Sequence, residues 1–210
     1  MDYFGRKERM RQRAFAAKRD KLFAPIIDVL AATKATPNMV SALGVLFLIL
    51  GCVMPGSWHP FVLACLALYV VCDGLDGPLA RRLGKDHSGG ALVDVVADQV
   101  GVVFLAAAAI VHIRAWGPAM VLFSSSYLVF IGLVLYANGI GAALRWFFRC
   151  KYLFFGLYWL SLALARDLVT WFGAFFALYY AVESTSALRR IYALHAARAS
   201  GGGDSEHRPS

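Results

Sequence analysis

The sequence predicts an all-α integral membrane protein: a bundle of six transmembrane helices preceded by an amphipathic helix at the membrane interface. Three observations carry that prediction. The 210-residue chain is 60% hydrophobic and only 16% charged, with a mean hydropathy of +0.61, too little charge to cover a soluble domain of this size. Its apolar residues come in blocks of roughly 17–25, the length that crosses the hydrocarbon core as a helix. The apolar positions do not alternate with a period of two, which argues against a transmembrane barrel and leaves helices, whose backbone is satisfied internally in lipid.

The expected spans are about 38–55, 60–82, 89–113, 118–138, 152–165 and 168–188. Thr36 suits an N-cap and Pro37 the first helical position of the first span. Pro55-Gly56-Ser57 and Gly117-Pro118 punctuate turns on the outer side. The fifth span is the shortest and is closed by Arg166 and Asp167. Pro78 sits mid-helix in the second and is expected to kink it.

Residues 1–35 form the expected interfacial helix. Tyr3, Phe4, Met10, Phe15, Leu22 and Phe23 are interleaved with Arg and Lys, a pattern that suits an anionic cytoplasmic leaflet. The basic start lacks the apolar core of a signal peptide. Residues 36–190 make the six-span domain, and 191–210 a cytoplasmic tail, disordered from about residue 200 where glycine, serine and charge prevail.

Charge sets the orientation. With six spans both termini share a side, and that side holds 19 of the 21 Lys and Arg, leaving Arg114 and Arg166 on the other. The positive-inside rule then puts both termini in the cytoplasm. The net charge of +8 is thus a membrane-surface signal, and no nucleic-acid partner is expected. The four cysteines, Cys52, Cys65, Cys72 and Cys150, show no metal-binding spacing and read as small apolar residues, with no disulfide expected.

Against this background four carboxylates stand out. They lie in Asp73-Gly-Leu-Asp76-Gly77-Pro-Leu-Ala80-Arg81 and Gly90-Ala-Leu-Val-Asp94-Val-Val-Ala-Asp98. A carboxylate within the bilayer costs about 2.5–3.5 kcal/mol on insertion scales, and a divalent cation in a water-filled cavity would offset it. On the second span Asp73, Asp76, Gly77 and Ala80 share an arc of roughly 100°, and on the third Gly90, Asp94 and Asp98 one of roughly 80°. A short loop makes these spans antiparallel neighbours whose polar faces can meet near the cytoplasmic end. Hard oxygen ligands suit Mg²⁺ or Mn²⁺ beside substrate phosphates, small residues admit a substrate to the backbone, and Arg81 adds a planar fork for phosphate.

These eight positions at this spacing resemble the signature of the CDP-alcohol phosphotransferase family, class I type. All eight are met by Asp73, Asp76, Gly77, Ala80, Arg81, Gly90, Asp94 and Asp98. The resemblance implies transfer of a substituted phosphoryl group from a CDP-linked donor, expected to be CDP-diacylglycerol, to a small alcohol with release of CMP. It implies two metal ions, Mg²⁺ or Mn²⁺, held by Asp73, Asp76, Asp94 and Asp98, with Asp98 also the general base. It implies a donor pocket lined by Gly77, Ala80, Arg81 and Gly90, with Thr36, Asn38 and Ser88 as further contacts. A homodimer in a bacterial or archaeal inner or cell membrane, with membrane lipid as partner, is implied by the same resemblance, and the charge-set orientation puts the active site on the cytoplasmic side.

For the acceptor, Arg145, Arg149, Lys151, Arg189 and Arg190 fall on the active-site side. They read either as ligands for glycerol phosphate or inositol phosphate, or as positive-inside anchors; serine or another uncharged acceptor is the rival. A cation transporter built on the four aspartates is the reading from another class. It leaves the glycines, Ala80 and Arg81 unexplained, and the chain has no inverted repeat. Ser124-Ser125-Ser126 reads as helix packing, and Glu183 as a partner for a nearby Arg.

Overall fold

The computed structural model describes residues 23–84, 88–142 and 144–201. All the regular elements there are helices: α1 (Phe23–Ala32), α2 (Pro37–Val53), α3 (His59–Arg82), α4 (Ser88–Ile113), α5 (Gly117–Gly139), α6 (Lys151–Leu164) and α7 (Val169–Gly201). Each expected span is a helix, and boundaries agree closely except at the end of the chain, where α7 runs well past residue 188. The stretch 191–201 is therefore helical. Residues 1–22 of the expected interfacial helix and 202–210 of the expected disordered tail lie outside the described residues.

Local chemistry sets the boundaries. The Thr36 hydroxyl accepts from the Met39 amide at 3.3 Å and caps α2, with Pro37 behind it. Lys34, at φ +59°, turns the chain there, and α1 meets α2 at 112°. Ala165 ends α6 in the left-handed region at φ +50°. Asp167 then accepts from the amides of Val169 and Thr170, both at 3.0 Å, and opens α7. Pro78 lies inside α3, which continues through it as one helix.

Three helices, His59–Arg82, Leu92–Ile113 and Gly117–Gly139, are long and apolar enough to cross a membrane, or four if the bent α1–α2 pair counts as one span. The chain is an integral membrane protein. Glu183 and the Ser-Thr-Ser after it lower the apolar average of α7. At 14 residues, α6 is roughly 21 Å long, short of the ~30 Å hydrocarbon core.

The principal helix pairs are α2 with α3 and α5 with α7, while α4 packs on α2, α5 and α6. The α2–α3 seam is very close: a Cβ on Gly44 would meet Cys72 Cβ at 2.8 Å, and one on Gly51 would meet Cys65 Cβ at 3.1 Å. Small residues permit such backbone approach, which is how helices associate in lipid. Leu66, Leu105, Met120, Phe123, Phe154 and Tyr180 form the main core, and α1 covers the far end of α3 through Ile27, Leu75 and Leu79. Trp171, 85% exposed, joins Trp58 and Trp116 on the outside, as an aromatic belt requires.

The short loop predicts α3 and α4 to be antiparallel neighbours whose polar faces can meet, and carboxylate oxygens of Asp73 on α3 and of Asp94 and Asp98 on α4 lie within 4.8 Å of one another, although among the described residues the two helices make no extensive backbone contact. α2 and α6 pack against both, and the space between their acidic faces is a cavity.

Candidate active site

The cavity has a volume of about 250 Å³ and is lined by Asp73, Asp76 and Gly77 of α3 and Asp94 and Asp98 of α4. Arg81, Tyr127, Arg149, Lys151 and Tyr152 complete its wall. The i, i+3 spacing on α3 and the i, i+4 spacing on α4 present these carboxylates inward. One oxygen each of Asp73, Asp94 and Asp98 lies within 4.8 Å of the others.

Asp76 is set apart from that trio. Its Oδ2 accepts from the Ser41 hydroxyl at 2.5 Å and its Oδ1 from the Gly77 amide at 2.6 Å. It is the buried carboxylate of the four, while Asp94 is exposed to the cavity mouth.

Lys151 brings a cation into direct contact with the cluster. Its ammonium donates to Oδ1 of Asp73 at 2.9 Å and to Oδ1 of Asp98. Tyr152 donates to the other oxygen of Asp73 at 2.8 Å. The ammonium also lies over the rings of Tyr69 and Tyr152, at 5.4 and 4.9 Å from their centroids, an arrangement that favours a cation. Lys151 is only 5% exposed, and a charge so buried requires paired partners.

The depth of this contact explains why α6 is short. Asp73 lies nine residues from the end of α3 at Arg82, about 13 Å along the axis. Lys151 is the first residue of α6 and meets Asp73 at that level. The segment before it is irregular backbone alongside α3, and its buried polar groups need partners. α7 supplies them. The Tyr180 hydroxyl accepts from the Cys150 amide at 3.2 Å and donates to the Phe148 carbonyl at 2.9 Å, and the Tyr179 hydroxyl accepts from the Phe148 amide at 3.0 Å.

The cavity thus gathers Asp73, Asp76, Gly77, Arg81, Asp94 and Asp98 with Arg149 and Lys151. Arg81 also lines a second cavity with Asp28 and Arg82, which pair with each other at 3.0 Å. Arg145 and Arg190 meet elsewhere, in a small recess with Glu183 and Ser186. Ala80 and Gly90 flank the aspartates without lining the cavity, Arg189 is exposed on α7, and Thr36 and Asn38 sit at the α2 start, Thr36 engaged as a cap. The Ser88 side chain lies outside the described residues.

The donor set fits a hard divalent cation. Carboxylate oxygens converge from two helices, and the Lys151 ammonium already lies on two of them as a stand-in positive charge. Ser41, Tyr69, Tyr127 and Tyr152 are not anticipated by the sequence reading. Tyr152 alone carries a signal, as the neighbour of a lysine at a helix start on the active-site side.

Comparison with known proteins bears on this geometry. Residues 34–179 match the family described as CDP-alcohol phosphatidyltransferase, a stretch that contains all four aspartates and Lys151. A phosphatidylinositol phosphate synthase from Cutibacterium acnes is 30% identical over 92 residues, covering 41% of this chain and 43% of that protein. The matched part is thus less than half the length of that relative.

Proposed function

Because this chain belongs to the CDP-alcohol phosphatidyltransferase family, a family of transferases, we propose that it transfers a phosphatidyl group from CDP-diacylglycerol to an alcohol acceptor and releases CMP. The observation that carries the reading is the approach of Asp73, Asp94 and Asp98 to within 4.8 Å in a cavity that Arg81 and Arg149 share. Carboxylates alone would repel a diphosphate; the two guanidiniums give it a place to bind.

Asp73, Asp76, Asp94 and Asp98 would hold two Mg²⁺ or Mn²⁺ ions, which when bound would neutralise diphosphate charge and the charge on the departing CMP. Arg81 fixes the donor's diphosphate at the α1 side of the cavity, and the bare backbone at Gly77 lets it lie close to α3. Ala80 and Gly90 keep the flanks of the nucleotide pocket small, with Thr36, Asn38 and Ser88 as its outer contacts. The acceptor oxygen bonds to the β-phosphorus as the bond from that phosphorus to the CMP oxygen breaks, CMP leaving with the electron pair. Asp98 takes the proton of the attacking hydroxyl, for which it must come within hydrogen-bond reach.

A phosphorylated acceptor fits the cations best. Arg149 and Lys151 line the cavity, while Arg145 and Arg190 share a separate recess, with Arg189 beside Arg190 in sequence. The relative is named for phosphatidylinositol phosphate, which favours inositol phosphate over glycerol phosphate or serine as acceptor. The helices α2–α7 form six spans of a domain at 36–190, with both ends and the cavity mouth on the cytoplasmic side where 19 of 21 cationic residues fall. The working unit is a homodimer.

The experiment is CMP release by purified protein with CDP-diacylglycerol, Mg²⁺ or Mn²⁺, and a panel of inositol 1-phosphate, glycerol 3-phosphate, inositol and serine. Metal-dependent release with inositol 1-phosphate alone is expected. Release with serine alone would overturn the phosphorylated acceptor, and no release or donor binding would overturn the activity.

A further inference from the structure

A lysine almost fully withdrawn from solvent, with its ammonium on two carboxylates of a group able to hold a metal, raises a question of occupancy. Lys151 uses Oδ1 of Asp73 and Oδ1 of Asp98, and both residues belong to the trio whose oxygens converge. Each carboxylate has a second oxygen, but that of Asp73 is engaged by the Tyr152 hydroxyl, and an ammonium and a divalent cation drawn onto the same two carboxylates repel each other. The two are alternatives. Resting on the metal site proposed for the aspartates, we propose that Lys151 is an internal counter-cation that competes with the divalent ion for Asp73 and Asp98, so that loading the metal expels its ammonium into the cavity beside Arg149.

Several features fit an exchange rather than a fixed strut. Tyr69 and Tyr152 offer ring faces to the ammonium at 5.4 and 4.9 Å, surfaces along which it can move while staying favourably placed. The lysine stem has four rotatable carbons, so its head can shift without the backbone. The backbone itself is pinned one residue earlier, at Cys150, by the Tyr180 hydroxyl. Without a metal the ammonium keeps Asp73 and Asp98 from repelling each other; with one it becomes a free positive charge facing the acceptor.

The test is Mn²⁺ binding to the purified full chain in detergent, read from the signal of free Mn²⁺, for the wild type, Lys151→Gln and Lys151→Arg. Lys151→Gln is expected to bind Mn²⁺ more tightly by on the order of tenfold, the scale on which groups touching the ligands move a metal's affinity. Lys151→Arg, which retains the charge, is expected to stay near the wild type. Equal or weaker binding by Lys151→Gln overturns the proposal alone; no Mn²⁺ binding by any of the three overturns it together with the metal site. If Lys151→Gln does not fold, the wild type answers by itself. Carbamylation of Lys151 by cyanate, followed by mass spectrometry against exposed Lys34, should accelerate when Mn²⁺ is added, and an unchanged or slower rate overturns the proposal.

Discussion

The Ser41 hydroxyl of α2 donates to Oδ2 of Asp76 on α3 at 2.5 Å, tying one carboxylate of the acidic face to a helix that carries no acid of its own. A hydrogen bond to a charged group contributes about 1.5–3 kcal/mol. Ser41→Ala should therefore lower the thermal midpoint by a few degrees and reduce CMP release about tenfold or more, since each 1.4 kcal/mol is a factor of ten. Full activity in Ser41→Ala would mean that Asp76 is held sufficiently by the Gly77 amide.

Asp98→Asn keeps the shape of the side chain and removes its basicity. Proton transfer by a positioned side chain contributes roughly 10²–10⁴-fold, so turnover should fall by that order while CDP-donor binding survives. Single-turnover CMP release alongside equilibrium donor binding separates the two. Turnover near the wild-type rate would move the base to another residue.

Tyr180→Phe retains the ring that packs against Tyr127 at 5.1 Å and Phe130 at 5.5 Å. It removes the hydroxyl that bridges Phe148 and Cys150. A buried group left unsatisfied costs about 1–3 kcal/mol, so the thermal midpoint should drop. KM for a phosphorylated acceptor should rise more than KM for the donor, because the loosened segment carries Arg149 and Lys151. Equal changes in both would count against a role in holding the acceptor side.

Gly44→Ala places a methyl 2.8 Å from Cys72 Cβ, and overpacking of this kind costs typically about 1–3 kcal/mol. Melting in detergent should show the loss. Gly132→Ala is the control, since nothing lies within 4 Å of a Cβ there, and its midpoint should equal or exceed that of the wild type because alanine suits a helix interior better than glycine.

Much of this site is legible in the amino-acid sequence, because i, i+3 and i, i+4 spacings fix which side chains share a helix face. Asp73 with Asp76 on one helix, and Asp94 with Asp98 on the next, read as facing groups for that reason, while the narrower convergence of Asp73, Asp94 and Asp98 comes from the fold. Helix starts are legible where a cap and a proline coincide, as at Thr36-Pro37. Contacts between distant parts of the chain are not. Ser41 and Asp76 are 35 residues apart and Lys151 and Asp73 are 78 apart, and no local pattern encodes either meeting. In the sequence Lys151 is only one cation among several near the cytoplasmic side. The separation of α3 from α4 is hidden too, since a short loop implies adjacency but says nothing of what stands between two helices. The length of α7 beyond residue 188 is obscured because polar composition resembles the end of order, although a helix can continue into water on its own backbone bonds.

The tyrosine-held segment before α6 has a consequence for how this protein can diversify. The four aspartates are borne by α3 and α4, whereas Arg149 and Lys151 hang from a stretch whose place is fixed by two hydroxyls of α7. Inheritance can act on these two parts at different rates. On the acceptor role proposed for Arg149 and Lys151, substitutions along the α7 face or within the segment would retune which alcohol is admitted while every carboxylate keeps its position, so that a new acceptor would not require passage through an inactive form.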